Sequence, residues 1–352
     1  MAESAVSGRD NPVADIDPGG LLSWPPDVRR RAFRYMDRLY TYRVVTASDQ
    51  PRHRAPAQTT TELPGDSGVH AVLVSVDGNL VREQYVLGHG IDQLWPSFSA
   101  GKSIISTLVG CALADGLIGS LDDPVCRYLP QLRGTAFDGV TLRHLQTMSS
   151  GIAWDEDSYE ASEDAEFFAR VWSEQLGGRL LPFIGGHARV SRPGERFQYN
   201  SGNTHVLAEV LAAVLDRSLS DYLSDKIWRP CGMEHEALWM LDAPGGIESG
   251  SILATGRDFL TFGEAFLDCV LGGSSIALPA GWARLATLPG APEEVEYGFS
   301  WWTAPGGIFE ARGVYGQLIH VDPTQRLVAV FLAVEATGTA VPDYGRYLGQ
   351  SG

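Results

Sequence analysis

The sequence holds only four cysteines, Cys111, Cys126, Cys231 and Cys269, with no CxxC pair. That spacing argues against a zinc knuckle and fits free thiols in a reducing compartment. Positive charge is scarce: the formal net charge is −16. An acidic chain repels phosphate backbones and anionic headgroups, so nucleic acid and membrane surfaces are not expected partners. No run of about 18 apolar residues is present, which excludes a conventional membrane-spanning helix. The first twenty residues, MAESAVSGRDNPVADIDPGG, lack the apolar segment of a signal peptide, so the expected location is cytoplasmic. No metal site is expected. His235-Glu236 is followed by Trp239 where a zinc-binding helix would place its second histidine. No cofactor is expected either, and the sequence does not set the oligomeric state.

The composition is otherwise that of a folded chain, 44% hydrophobic and 20% charged over 352 residues, enough for one large domain or two lobes. Residues 1–24 read as a disordered lead-in. The apolar spacing of Phe33, Met36, Leu39 and Tyr40 predicts an amphipathic helix from Pro25 to Val45. Residues 46–66 read as a loop. VHAVLVSV and NLVREQYV flank Asp77-Gly78, a hairpin signal. From Lys102 the chain is apolar almost all round at helical spacing, which predicts a buried helix. Further helices are expected over Thr204–Leu215, Leu219–Trp228 and Gly256–Val270. FSWWT, GIFEARG, QLIHV and LVAVFLAVE read as strands. The expected fold class is α+β: an antiparallel sheet built from both chain ends, with an inserted, mainly helical lobe. The expected lobes are 25–100 with 246–352, and 101–245, with the active site between them.

Lysine is the scarcest charge. The 27 basic residues divide into 25 Arg and 2 Lys, Lys102 and Lys226. Lys102 stands three residues after Ser99 in Ser97-Phe98-Ser99-Ala100-Gly101-Lys102. Residues three apart share a helix face, so the amine can reach the hydroxyl. Serine attacks poorly until a base takes its proton. A desolvated lysine can be that base, whereas arginine cannot release its proton. Gly-Lys-Ser also suggests a phosphate loop, but that motif needs glycine at position 96, which is Pro96.

Around this motif, SFSAGKSIISTLVGCALADGLIGSLDDPVCRYLPQL, VTLRHLQTMSSGIAWDED, PGERFQYNSGNTHVLAEVL and GGIESGSILATGRDFLTFGEAFL resemble the serine β-lactamase and penicillin-binding-protein superfamily. The resemblance runs from about Trp24 to Tyr347. Within the superfamily the chain is most like the branch of class C β-lactamases, esterases and 6-aminohexanoate-dimer hydrolases. The resemblance implies Ser99 as nucleophile, Lys102 as its partner and Tyr199 as a proton relay. It implies an oxyanion hole from the N–H groups of Ser99 and Val314. Two departures stand out. Ser201 replaces the Asn of the tyrosine motif, which turns the reading away from penicillin recognition. Arg312-Gly313-Val314-Tyr315-Gly316-Gln317 stands where Lys-Thr-Gly is usual, with Gly313, Tyr315 and Gln317 beside the substrate; this Gly-x-x-Gly strand reads equally as a bulge. Ser201, Tyr159 and Trp154 are further candidate substrate contacts, and Trp172 a pocket-lining aromatic.

The leading function is hydrolysis of a small-molecule amide or ester through an acyl-Ser99 intermediate. The alternative is acyl transfer to an amine or alcohol in a biosynthetic pathway. A non-catalytic ligand-binding module on the same fold is the third reading.

Overall fold

The computed structural model describes residues 11–57, 68–156 and 162–334. The helices are α1 (Pro26–Arg34), α2 (Gly101–Ala114), α3 (Leu142–Gln146), α4 (Glu163–Ser173), α5 (Leu180–Gly185), α6 (Ser201–Val214), α7 (Leu219–Leu223), α8 (Gly256–Val270) and α9 (Trp282–Ala286). The strands are β1 (Tyr42–Val45), β2 (Val69–Val76), β3 (Asn79–Tyr85), β4 (Trp95–Pro96), β5 (Ala237–Leu241), β6 (Glu248–Ala254), β7 (Trp302–Ala304), β8 (Ile308–Gly313), β9 (Gln317–Asp322) and β10 (Leu327–Ala333).

The main sheet has the order β3-β2-β10-β9-β8-β7, with antiparallel pairing throughout. It joins the two ends of the chain, as the sequence predicts. The β2–β3 hairpin turns at Asp77 (φ 50°) and Gly78 (φ 74°). Two left-handed residues give the turn whose twist matches the flanking strands. β10 is buried along its whole length, as a central strand is. α8 lies on this sheet, and Gly263 permits the close approach: a Cβ there would fall 2.6 Å from Val328 Cγ1 and 2.9 Å from Ile319 Cγ2. Among the described residues, no helix is long and apolar enough to cross a membrane. All four cysteines are free thiols.

Four features differ from expectation. Residues 11–24 are folded, not a disordered lead-in. Val13, Ile16, Leu21 and Trp24 are buried, the Trp24 indole donates to the Asp17 carbonyl at 2.9 Å, and the Tyr40 hydroxyl donates to the Pro18 carbonyl at 2.8 Å. Residues 1–10 lie outside the described residues. The expected Pro25–Val45 helix stops at Arg34, and Tyr42–Val45 becomes β1. β1 is claimed by a second sheet, β1-β5-β6-β4. That sheet takes in β5, which lies within the stretch expected to be mainly helical. The Leu219–Trp228 helix is α7 followed by a π-turn, Ser224–Trp228.

Candidate active site

β4 runs into a short 3-10 turn, Phe98–Ala100, that leads directly into α2. β6 fixes this turn. Ser97 N–H donates to the Ile252 carbonyl at 2.8 Å, Ile252 N–H donates to Ser97 Oγ at 3.0 Å, and Phe98 N–H donates to Ser251 Oγ at 2.9 Å. Phe98 is held at φ 45°, a left-handed conformation that costs on the order of 1 kcal/mol in a non-glycine residue. Its ring is wedged against Phe33 (4.9 Å between centroids) and Tyr315 (5.9 Å). The turn sets Ser99 just ahead of the N-terminus of the 14-residue α2, where the helix dipole favours developing negative charge.

Lys102, in the first turn of α2, donates from Nζ to Ser99 Oγ at 2.7 Å. The lysine is only 8% exposed. Among the described residues it makes no ion pair; its other contact is the face of Tyr199, with Nζ 5.0 Å from the ring centroid. Lys226, by contrast, is paired with Asp115 at 2.7 Å. Tyr199 is half-buried and stacks on Trp302 (5.8 Å, 19° between planes). Trp302 lies in turn beneath the Arg312 guanidinium, 5.2 Å from its ring centroid. Tyr297 meets both rings edge-on. It is fully buried, and burial raises its phenol far above the ordinary tyrosine range.

The end of β8 closes against the turn that carries Ser99. A Cβ on Gly313 would fall 2.3 Å from the Ser97 carbonyl oxygen, so glycine is what lets the two backbones touch. Val314 follows at once and opens the short turn Val314–Gly316.

Phe98, Ser99 and Lys102 front a pocket of about 750 Å³, a volume that includes open solvent; Tyr199, Gly313 and Val314 are not among its lining residues. Its polar end is made by Ser99, Lys102, Glu156, Ser201 and Thr204. Its apolar wall includes Leu21, Leu22, Ile105, Phe168, Trp172 and Met240. Glu156 was not legible in the sequence, where it sits in the acidic run Trp154-Asp155-Glu156-Asp157. It is 9% exposed and accepts from three donors: Trp154 Nε1 at 2.5 Å, Ser201 Oγ at 2.6 Å and the Ser201 N–H.

Three candidate substrate contacts have other work. Trp154 is buried against Phe168, Phe183 and His187 and supports Glu156 from behind the pocket. Gln317 is buried, with its amide consumed by the sheet: Oε1 accepts from Trp95 Nε1 at 2.8 Å and Ala333 N–H at 3.1 Å, while Nε2 donates to the Ala333 carbonyl at 2.8 Å and the Val314 carbonyl at 3.0 Å. The Trp95 indole is buried and needs an acceptor, which is why a glutamine stands there. Tyr315 is buried under Arg29, and its hydroxyl lies 3.4 Å from the Leu22 carbonyl oxygen, so it anchors the segment that carries the apolar wall. Ser201 and Trp172 do line the pocket. Tyr159 lies outside the described residues.

Comparison with known proteins agrees with this architecture. The Beta-lactamase family model matches residues 57–350. The 6-aminohexanoate-dimer hydrolase of Paenarthrobacter ureafaciens is 26% identical over 286 residues, covering 75% of this chain and 72% of that protein. A beta-lactamase of Pseudomonas fluorescens is 45% identical over 140 residues, 39% of this chain and 34% of its own length. Among solved structures, a Bacillus anthracis protein assigned as a 6-aminohexanoate-dimer hydrolase superposes with a TM-score of 0.79 at 23% identity, covering 94% of each chain. A family VIII carboxylesterase superposes with a TM-score of 0.61 at 18% identity, over 79% of this chain and 90% of the other. The chain thus belongs to the Beta-lactamase family, within the serine β-lactamase and penicillin-binding-protein superfamily of hydrolases.

Proposed function

We propose that this protein is a serine hydrolase that cleaves a small-molecule amide or ester through an acyl-Ser99 intermediate. The observation that carries the reading is the 2.7 Å contact between Lys102 Nζ and Ser99 Oγ at the polar end of the pocket. That distance is within direct proton-transfer reach. In this reading Lys102 takes the Ser99 proton as Oγ adds to the substrate carbonyl. The N–H groups of Ser99 and Val314 receive the developing oxyanion, a role supported by the contact of Gly313 with Ser97. Tyr199, packed on the Lys102 ammonium, passes a proton to the leaving group and then assists water in releasing the acid. The apolar wall supports a substrate with a mainly hydrocarbon portion. A serine-reactive phosphonate tests the reading. It should add one covalent mass to Ser99, and Ser99→Ala should abolish both labelling and turnover. Full turnover by Ser99→Ala refutes it.

A further inference from the structure

The acyl-Ser99 chemistry leaves one buried carboxylate in the pocket without a task, Glu156. A carboxylate only accepts hydrogen bonds, whereas a hydroxyl has a single proton to give. Ser201 spends that proton on Glu156 Oε1 at 2.6 Å. Its backbone N–H is spent on Glu156 Oε2 as well. What Ser201 can still offer a ligand is oxygen lone pairs, so the pocket wall at this position is an acceptor of fixed polarity.

The position matters because of what stands two residues before it. Asn200 is extended (φ −151°, ψ 105°) and is the N-cap of α6, whose first residue is Ser201. The Asn200 side chain itself turns back to cap α6, accepting from Asn203 N–H at 3.1 Å. Lys102 links the two positions: its Nζ lies 5.0 Å from the Tyr199 ring centroid, and it lines the pocket together with Ser201, so a proton donor to the leaving atom and an acceptor both stand close to the Ser99–Lys102 pair. An amide nitrogen carries an N–H to meet that acceptor. An ester oxygen carries only lone pairs, which would face lone pairs.

We propose that Glu156 and Ser201 together select amides: Ser201 Oγ accepts the N–H of the scissile amide, and Glu156 is the positioning residue that keeps Ser201 from donating. This rests on the acyl-Ser99 reading above. When Ser99 Oγ adds to the carbonyl, the nitrogen becomes pyramidal and its lone pair must face Tyr199. Pinning the N–H on Ser201 fixes that orientation. The C–N bond then breaks with its electron pair going to nitrogen, the Tyr199 proton goes to the same nitrogen, and the free amine leaves acyl-Ser99 behind.

The test uses the p-nitroanilide and the p-nitrophenyl ester of one short aliphatic acid, which differ in the leaving atom. In Glu156→Gln the side-chain oxygen can still accept from Trp154 and the Ser201 N–H. Its NH2 now donates to Ser201 Oγ, which frees the hydroxyl proton to face the pocket. The shape is kept and the polarity inverted. The anilide-to-ester ratio of kcat/KM should fall by roughly tenfold or more, the scale of one lost and one misplaced hydrogen bond. Ser201→Ala should lower the ratio in the same direction, and it carries the test if Glu156→Gln does not fold. Parallel loss on both substrates would mean that the pair merely braces Tyr199, and it overturns the proposal. So does an unchanged ratio, or a wild-type enzyme that turns over no anilide. Phosphonate labelling separates the two levels. A labelled Ser99 with an unchanged ratio refutes the amide selection alone, whereas an unlabelled Ser99 in the wild type refutes the acyl-Ser99 reading itself.

Discussion

Mild acid should destabilise this protein well before its carboxylates protonate, because of two histidines behind the turn that carries Ser99. His70 on β2 and His89 after β3 pack on the Trp95 ring at centroid distances of 4.8 and 4.9 Å. Both are buried, and none of their four ring nitrogens has a hydrogen-bond partner among the described residues. Burial lowers their pKa values to about 4 for His70 and about 3 for His89, with Arg34 adding to the effect in both. The folded state thus holds both rings neutral, while the unfolded chain protonates them near the ordinary 6.5. Between pH 6.5 and 4 the unfolded state binds more protons, so stability is complete above 6.5 and falls as pH falls. At pH 5 each ring has crossed about 1.5 units of that window, a loss of about 2 kcal/mol each at 1.36 kcal/mol per unit. Together that is about 4 kcal/mol, a large share of the roughly 5–15 kcal/mol typical of a folded domain. Urea unfolding at pH 7.5 and pH 5.0, compared between wild type and a His70→Leu/His89→Leu double variant, isolates the effect. Packing changes in the variant cancel in the pH difference. The wild type should lose about 4 kcal/mol more than the variant, and equal losses would refute the reasoning.

Other expectations follow from the polar end of the pocket. Lys102→Arg keeps a positive charge beside Ser99 but removes a releasable proton, so kcat should fall roughly a hundredfold or more in steady-state assays; near-normal turnover would reduce Lys102 to an electrostatic role. Gly313→Ala drives a Cβ against the Ser97 carbonyl, an atom that cannot yield without moving the turn that carries Ser99. It should cost about 1–3 kcal/mol in denaturant titration, with a drop in kcat larger than any rise in KM. Partition experiments with added amines and alcohols should return the free acid as main product at every acceptor concentration. One acceptor that captures nearly all the acyl group at low concentration would make the protein an acyltransferase instead.

Local patterns were the legible part of this molecule. α8 begins and ends at the residues that its apolar spacing marks, and Asp77-Gly78 forms the turn that those two residue types favour. The Ser99–Lys102 contact follows from three-residue spacing at a helix start. Elements decided by distant partners were not legible. Tyr42–Val45 continues a helical apolar pattern and becomes β1 only because Ala237–Leu241 lies alongside it. Residues 11–24 have the acidic, Pro- and Gly-containing look of disorder. Four apolar side chains, the Tyr40 hydroxyl and the Tyr315 hydroxyl fold them onto the body. Gln317 looked like a substrate contact beside Gly316, yet the buried Trp95 indole claims it. Glu156 passed as one acid among several, because its importance lies in donors 45 residues away in the chain.

Leu21 and Leu22 form part of the apolar wall of the pocket that Ser99 and Lys102 also line. Ser99, Lys102 and Tyr199 all fall inside the stretch 57–350 that matches the family, while Leu21 and Leu22 lie upstream of it. Ser99 and Lys102 are therefore bounded on one side by residues that the family match does not reach. Because Leu21 and Leu22 are held in place by the packing of Val13, Ile16 and Trp24, a change in that buried segment reaches the pocket wall without touching Ser99 or Lys102.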